Sequence, residues 1–253
     1  MTPGRRHVRI ARMNAAIPDL RPWFVALRDH ARGTARDLVE PFDWKIFWGN
    51  DRPVELEVGS GRGLFLLNSA LAHPEVNWLG VEIEFKEGRY AARRLQKRSL
   101  PNARILGGDA RDLIDRFVVD GSVQAVHVYF PDPWWKRRHH KRRLFTAEFV
   151  QQAARILPAE GRLHLWTDVG EYFSLACGIV AESELFDAPE RPPERPPQND
   201  LDYLTNFERK KRQAGETIRR AVWRRNRKPS PAVRRTERWP LPGRVRREAV
   251  PGE

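Results

Sequence analysis

Several features that define large protein classes are missing from this sequence. The chain of 253 residues contains one cysteine, Cys177, which excludes a disulfide framework and a cysteine-based zinc site. No uninterrupted apolar stretch approaches the roughly 18–20 residues that a membrane-spanning helix needs. The basic N-terminus is not followed by an apolar block, so it does not predict a secretory signal. We expect a cytoplasmic protein that does not enter a membrane.

Acidic residues are too few to balance the basic ones. Lys and Arg number 46 against 33 Asp and Glu, which gives a net charge of +13 and a pI near 10.6. The imbalance is local, because residues 54–204 carry a net charge of −2 whereas residues 205–253 carry +11. The apolar fraction of 40% is too high for a wholly disordered chain. A nearly neutral centre with basic ends indicates a globular core flanked by segments that bind a polyanion.

Predicted strands and helices alternate through the centre of the chain. Short apolar or alternating runs that end at Gly or at an acidic residue predict strands, and longer amphipathic runs predict helices. The predicted strands are residues 54–58, 78–82, 103–106, 123–130 and 162–166, with 217–223 as a last strand or hairpin, and the predicted helices are 64–71, 86–99, 145–157 and 171–181. This order implies an α/β fold with a doubly wound, mostly parallel sheet and helices on both faces. We divide the chain into a basic N-terminal extension (1–50), one globular domain (51–228) and a basic, flexible tail rich in Pro and Arg (229–253).

A glycine-rich turn follows the first of these strands. Glu57-Val58-Gly59-Ser60-Gly61-Arg62-Gly63 lies where strand gives way to helix, so glycines let a ligand approach backbone N–H groups at a helix N-terminus. A dinucleotide-binding fingerprint would need a further Gly at position 64, where the sequence has Leu64. The turn instead suits S-adenosylmethionine, which has no pyrophosphate and whose cationic groups favour nearby carboxylates. The alternative is a tight turn that binds no ligand.

Acidic residues end the next two predicted strands. Glu82, which follows Gly59 by 23 positions, can accept hydrogen bonds from both ribose hydroxyls. Asp109 can meet the adenine amino group, although its spacing to Asp112 also fits a helix N-cap. Because parallel strands end at one edge of a doubly wound sheet, we expect these side chains to share a cofactor site there.

The fourth predicted strand ends in a stiff, acidic loop. Two prolines flank Asp132 in Phe130-Pro131-Asp132-Pro133-Trp134-Trp135, and force an extended exit from the strand. This arrangement suits a fixed hydrogen-bonding group in a pocket for a flat, polar ring. Six of the next eight residues, 136–143, are Lys or Arg. A charge run is often only a solvated face, but its position beside Asp132 favours phosphate binding.

These motifs resemble those of the bacterial tRNA (guanine-N7-)-methyltransferases, a Rossmann-like, S-adenosylmethionine-dependent family. The similarity covers roughly residues 50–225. It includes the glycine turn, Gly80-Val81-Glu82, Gly108-Asp109-Ala110, Phe130-Pro131-Asp132-Pro133-Trp134, Lys136, His139, Lys141-Arg142-Arg143, Trp166-Thr167-Asp168 and Thr205-Asn206-Phe207-Glu208. The resemblance implies a seven-stranded sheet and methyl transfer to N7 of guanosine 46 in the tRNA variable loop.

The resemblance also implies roles for individual residues. Asp132 is the expected catalytic residue. S-adenosylmethionine contacts are expected from Glu57, Gly59, Gly61, Glu82, Asp109, Ala110 and Asp132, and substrate contacts from Lys136, Asp168, Thr205, Asn206, Phe207 and Glu208. For the phosphates of tRNA, the charge pattern indicates Lys141, Arg142, Arg143, Lys210, Lys211, Arg219 and Arg220. We expect tRNA as the partner, no bound metal, and a monomer or homodimer.

Other interpretations of the same residues stay open. Thr205 with Glu208, and Asp168 with Glu171, have capping-box spacing and therefore also predict helix starts. His127 and His164 lie inside strands and are predicted to be core residues, and Trp23, Trp44 and Trp48 are predicted to be packing anchors. The rival functions are a Rossmann-like methyltransferase acting on another RNA position, a non-catalytic RNA-binding protein and a nicotinamide oxidoreductase. A methyltransferase acting on an exocyclic amine would favour a second proline after Pro133, but the sequence has Trp134 at that position, which argues against this rival.

Overall fold

The computed structural model describes residues 19–27, 43–193 and 205–229. The strands in this part of the chain are β1 (Phe24–Ala26), β2 (Val54–Val58), β3 (Asn77–Glu82), β4 (Ala103–Gly107), β5 (Ala125–Tyr129), β6 (Arg162–Thr167) and β7 (Arg219–Arg224). The α-helices are α1 (Trp44–Trp48), α2 (Leu64–Ala72), α3 (Phe85–Lys97), α4 (Ala110–Phe117), α5 (Ala147–Ile156), α6 (Gly170–Ser183) and α7 (Asn206–Gln213), and Arg137–Arg142 form a 3-10 helix.

The seven strands form one sheet in the order β1-β4-β3-β2-β5-β6-β7. All neighbours pair in parallel except β6 and β7, which are antiparallel. The strand order reverses beside β2, so β2 to β5 all end at the edge where such sheets bind ligands. The predicted α/β class and the seven-stranded, mostly parallel sheet are confirmed.

The sheet separates two apolar cores. Side chains alternate between its faces, so Leu56 and Val128 pack on the face covered by α4, α5 and α6, whereas Trp78 and Ile105 pack on the face covered by α2 and α3. The prediction of helices on both faces is therefore confirmed. Glu57 and Glu82 belong to the second face by this alternation.

That second face also carries a buried polar cluster. The His127 imidazole lies 2.6 Å from a Glu55 carboxylate oxygen and 2.9 Å from the Tyr129 hydroxyl, and its ring stacks on His164 at 4.4 Å. Burial lowers the pKa of His164 well below its usual range, and the neighbouring His127 acts in the same direction. His127 is a buried core residue, as predicted, whereas His164 is only partly buried.

The sheet begins earlier in the chain than the sequence pattern indicates. Phe24–Ala26 fall inside the predicted N-terminal extension, yet they pair with β4 through Phe24 and Ile105. A three-residue strand shows no useful periodicity, so its pairing is set by contact with β4 rather than by local pattern. Residues 1–18 and 28–42 of the predicted extension lie outside the described ranges. The predicted tail also lies outside them from residue 230 onward.

Candidate active site

The glycine turn leaves β2 in a conformation that suits glycine. Gly59, Gly61 and Gly63 have φ of 77°, 51° and 67°, the left-handed region that favours residues without a Cβ. A Cβ on Gly63 would also lie 2.7 Å from Cβ of Ala91 on α3. The turn is therefore shaped by backbone geometry and by the close approach of α3, and it opens toward the ligand edge at Gly59 and Gly61, where an added Cβ would contact nothing within 4 Å.

The Glu82 carboxylate joins this turn to the end of β3. One oxygen accepts a hydrogen bond from the N–H of Gly61 at 2.7 Å, and the other accepts from the N–H of Glu84 at 2.8 Å. Burial raises the pKa of Glu82, while the two N–H donors oppose this by favouring the charged form. Glu82 is thus held rigidly beside the turn, as a cofactor contact requires.

Glu57 is more deeply buried than Glu82. Among the described residues its Oε2 atom has no hydrogen-bond partner. Burial raises the pKa of Glu57 well above its usual range, and the negative charge of Glu82 adds to the rise. A buried carboxyl without a partner is costly, and a nearby cation would relieve that cost.

Asp109 forms the helix cap that its spacing to Asp112 indicated. It is the N-cap of α4, because its carboxylate accepts from the N–H of Arg111 at 2.9 Å. The guanidinium of Arg111 also binds this carboxylate at 2.9 Å. The same side chain borders a cleft of about 150 Å³ at the sheet edge.

The cleft connects the ends of β2, β3 and β4. Its polar border includes Gly59, Asp109 and Ala110, and its apolar walls include Val81, Ile83 and Leu144. Ile83 is large and apolar but 53% exposed, so it presents apolar surface at the cleft. The sequence pattern missed Ile83 and Leu144; the only available signal for Ile83 was its place directly after Glu82.

The loop that carries Asp132 is held at both of its ends. Phe130 and Trp134 have φ of 51° and 46°, an uncommon conformation for large side chains that is found at functional sites. The N–H of Phe130 donates to the carbonyl of Trp166 at 2.8 Å, and Arg143 donates to the carbonyl of Pro133 at 2.8 Å. Between these anchors Asp132 is exposed, so it is available to a substrate.

The basic run after Asp132 has two kinds of side chain. Arg142 lies over the Trp134 ring at 4.9 Å and borders the cleft, and Arg143 braces Pro133, so both turn toward the site. Lys136 and Lys141 are exposed. The basic run therefore contains both residues that fix the loop and residues that face solvent.

Asp168 is not the cap of α6, so the helix-start interpretation of this residue is wrong. Val169 is the N-cap residue, and it makes no side-chain capping bond. The Asp168 carboxylate instead binds the ammonium group of Lys211 at 2.8 Å. Two predicted site residues from distant parts of the chain are thereby brought together, with Lys211 also bound to Glu216 at 3.1 Å.

The start of α7 fulfils the capping prediction. The Thr205 hydroxyl accepts from the N–H of Glu208 at 2.9 Å. Phe207 is 59% exposed and its ring stacks against Phe130 at 6.1 Å, which places it beside the Asp132 loop. Of Asn206 only the helical backbone is described.

Glu208 lies in an ion-pair cluster beneath α7. Its side chain is 3% exposed and its carboxylate contacts Arg212 at 2.8 Å and Arg220 at 3.5 Å. The Arg220 guanidinium lies over the Trp166 ring at 4.7 Å and is buried. Arg220 therefore does not belong to the surface where phosphates were predicted to bind. The charge of Arg220 can be read from the sequence, whereas its burial cannot.

The Glu208 cluster predicts a large loss of stability on truncation. Glu208→Ala is expected to lower the free energy of unfolding by about 3–5 kcal/mol, because two arginines lose a buried carboxylate. Thr205→Ala removes only a helix cap and is expected to cost about 1 kcal/mol. Urea unfolding of both variants checks this, and equal losses would contradict a stabilising role for Glu208.

Known proteins share these motifs. A family model described as a putative methyltransferase matches residues 51–221. A tRNA (guanine-N(7)-)-methyltransferase of Rhodopirellula baltica is 42% identical over 198 residues, which cover 76% of this chain and 73% of that protein. One from Marinobacter nauticus is 35% identical over 193 residues, covering 76% of this chain and 78% of that protein. The chain belongs to the tRNA (guanine-N7-)-methyltransferase family. It is a methyltransferase, and the resemblance seen in its motifs is confirmed.

A solved structure supports the fold independently. The crystal structure of the 16S rRNA methyltransferase KamB superposes with a TM-score of 0.55 over 74% of this chain and 95% of that chain, at 15% identity. At this identity the likeness concerns the fold alone, and it agrees with the Rossmann-like sheet.

The site fits S-adenosylmethionine. Glu82 is held rigidly against the glycine turn, the cleft offers apolar walls beside Asp109, and the unpartnered oxygen of Glu57 is suited to a cation. Within the described ranges no group of three His, Cys, Asp or Glu side chains could hold a metal ion. No helix of those ranges is both long and apolar enough to cross a membrane.

Proposed function

We propose that this enzyme transfers the methyl group of S-adenosylmethionine to N7 of guanosine 46 in the variable loop of tRNA. The observation that carries the proposal is the convergence of Glu82, Asp109 and the Asp132 loop at one sheet edge, in a chain of this family. The enzyme works in the cytoplasm on tRNA, and the N-terminal extension and the tail add positive charge at its ends.

The donor is held by the ends of three strands. Bound S-adenosylmethionine supplies an electrophilic methyl group on a sulfonium. Glu82 accepts hydrogen bonds from the ribose hydroxyls, and Asp109 accepts from the adenine amino group, with Ala110 beside it. Gly59 and Gly61 let the ligand approach the backbone. Glu57 favours the cationic end of the donor.

Guanine N7 needs alignment more than proton transfer. The atom carries a lone pair and no proton, so a general base is not obligatory there. Correct alignment can supply up to about 7–11 kcal/mol of the barrier reduction. Asp132 orients the guanine by accepting from its N1–H and N2–H₂ groups, and its charge favours the cationic purine that forms. Asp168 shares this task, positioned by Lys211.

The surface around Asp132 binds the RNA. A deep, narrow A-form major groove excludes side chains, so the enzyme recognises shape and phosphates. Exposed Phe207 offers a ring beside the Asp132 loop. The residues assigned to this surface are Lys136, Lys141, Arg142, Arg143, Asn206, Phe207, Lys210 and Lys211. Thr205 and the buried Glu208 contribute indirectly, by holding the start of α7.

Mapping the product tests the proposed function. The purified enzyme is incubated with unmodified bulk tRNA and S-adenosylmethionine, and the methylated nucleotide is located by mass spectrometry of nuclease fragments. We expect 7-methylguanosine at position 46. Methyl groups on an exocyclic amine or on another nucleotide would overturn the assignment and favour a different RNA methyltransferase.

Donor affinity is expected to rise with pH. The raised pKa of Glu57 means that the folded protein favours the protonated carboxyl, and a bound cation favours the carboxylate. Binding of the donor therefore releases protons. The affinity for S-adenosylmethionine increases as pH rises through the pKa of Glu57 in the ligand-free protein and then levels off. Calorimetric titrations with S-adenosylmethionine from pH 5 to 8, in buffers of different ionisation enthalpy, measure the release. Glu57→Gln should flatten this dependence; an unchanged dependence would contradict the role of Glu57.

A further inference from the structure

The outer face of α3 is a row of positive charges. The helix buries its small and apolar residues Gly88, Ala91, Ala92 and Leu95. Opposite them lie Lys86, Tyr90, Arg93 and Lys97, all exposed, which helical periodicity places on one side. We call these four residues the α3 ridge. Lys86 and Lys97 are about 16 Å apart along the helix axis.

Several surface cations elsewhere form ion pairs with acidic side chains, but those of the ridge do not. Lys45, Arg224 and Lys228 bind Asp51, Glu160 and Glu184, respectively. Over the part of the chain that the structure describes, no carboxylate pairs with Lys86, Arg93 or Lys97. The one acid of α3, Glu87, binds Arg62 at 2.6 Å. The pKa of Glu87 is lowered mainly by its hydrogen bond with Arg62, and the charge of Lys86 acts in the same direction. Among the described residues the ridge is therefore a strip of cations that form no ion pair.

The ridge is fixed next to the donor site. α3 starts three residues after Glu82, and Ala91 packs against the glycine turn at Gly63. The Arg62 guanidinium of that turn lies over the Tyr90 ring at 5.0 Å. Because the helix packs on the same turn that shapes the donor site, the ridge keeps a constant position relative to the reaction centre.

Positive charge extends from the ridge to α7. Arg94, next to Arg93, donates to the carbonyl of Arg62 at 3.0 Å. Burial lowers the pKa of Arg94, and the positive charges of Arg98 and of Arg209 on α7 act in the same direction. α7 begins beside the Asp132 loop, where Phe207 stacks on Phe130. Like charges from two helices are thus gathered on the surface that leads away from the reaction centre.

We propose that the α3 ridge binds the ribose–phosphate backbone of the tRNA substrate at a segment distant from the target guanosine. This rests on the proposed function. A row of unpaired cations about 16 Å long matches a run of phosphates and carries no sequence information. The ridge supplies affinity and orientation, whereas the residues around Asp132 act on the base. It also accounts for a basic helix within residues 54–204, a segment whose net charge is −2.

A triple substitution tests the ridge against a matched control. The variant Lys86→Ala, Arg93→Ala, Lys97→Ala removes three unpaired cations, and the control Lys45→Ala, Arg224→Ala, Lys228→Ala removes three paired ones. We measure the Kd for an unmodified tRNA transcript between 50 and 300 mM salt. The ridge variant is expected to bind at least about tenfold more weakly than the control, with a log–log salt slope shallower by about 2–3. KM for tRNA should rise similarly, while kcat changes less than about twofold and the affinity for S-adenosylmethionine is retained.

Three results would overturn the proposal. The ridge variant could bind tRNA as tightly as the control, or lose kcat instead of affinity. It could also lose binding to anionic lipid vesicles while keeping tRNA affinity, which would assign the ridge to a membrane surface. Failure of the proposed function is distinguishable, because the wild-type protein would then leave N7 unmethylated while the difference in tRNA binding between the two triple variants remained.

Discussion

Asp132→Ala is expected to reduce kcat for methyl transfer to tRNA by about 10²–10³-fold or more, because the variant loses the group that orients the guanine and favours its developing charge. The loop around Asp132 is anchored through Phe130 and Pro133, so the alanine variant keeps the loop and removes only the carboxylate. The reaction is followed as labelled methyl incorporation into an unmodified transcript at saturating tRNA and S-adenosylmethionine.

Three comparison variants separate chemistry from binding. Asp132→Asn keeps the size and one acceptor of the side chain but loses its charge, and should fall between wild type and alanine. Lys141→Ala should mainly raise KM for tRNA, since Lys141 is exposed in the basic run. Glu182→Ala removes an exposed carboxylate on α6 and should have no effect. Near-normal turnover of Asp132→Ala would show that another group positions the base.

Glu82→Ala is expected to weaken S-adenosylmethionine binding by about 10²-fold or more. In the proposed function the carboxylate accepts charge-assisted hydrogen bonds from two ribose hydroxyls, each worth about 1.5–3 kcal/mol, and the variant would lose them. The glycine turn also loses its link to Gly61, which adds to the loss of affinity. Calorimetric titration with S-adenosylmethionine measures the effect directly.

The structural role of Glu82 must be measured beside its binding role. The variant also loses the bonds to Gly61 and Glu84, so its free energy of unfolding should fall by about 1–3 kcal/mol while circular dichroism stays native. Glu75→Ala, which removes an exposed carboxylate that pairs with His73, is the matched control. A folded Glu82→Ala protein with wild-type affinity for S-adenosylmethionine would refute the ribose contact.

The sequence predicts most of the fold because its strands can be recognised from short stretches of residues. The β2, β3 and β4 segments are short apolar runs that stop at a glycine or an acidic residue, and each recurs in the structure within a few residues of its predicted end. The carboxylates that follow them fall at one edge because parallel strands share an edge. The predicted caps at Asp109 and Thr205 are likewise local features, and both form.

What the sequence could not predict depends on contacts between distant segments. β1 is too short to show a period and is recognisable only by its pairing with β4. Asp168 has the spacing of a helix cap, but it pairs with Lys211 from α7. Arg220 and Lys210 carry the same charge in the sequence, yet packing of α7 against β7 buries Arg220 beside Glu208 and leaves Lys210 exposed. Charge is local information, whereas burial is not.

One atom of the substrate offers the most direct test of the central claim. Two tRNA transcripts are prepared, one with guanosine at position 46 and one with 7-deazaguanosine there, which replaces N7 by carbon and leaves the Watson–Crick edge unchanged. Both are incubated with the enzyme and labelled S-adenosylmethionine, and their Kd values are measured in parallel. The account predicts similar binding, full methylation of the first transcript and none of the second. Equal methyl incorporation into both would contradict it.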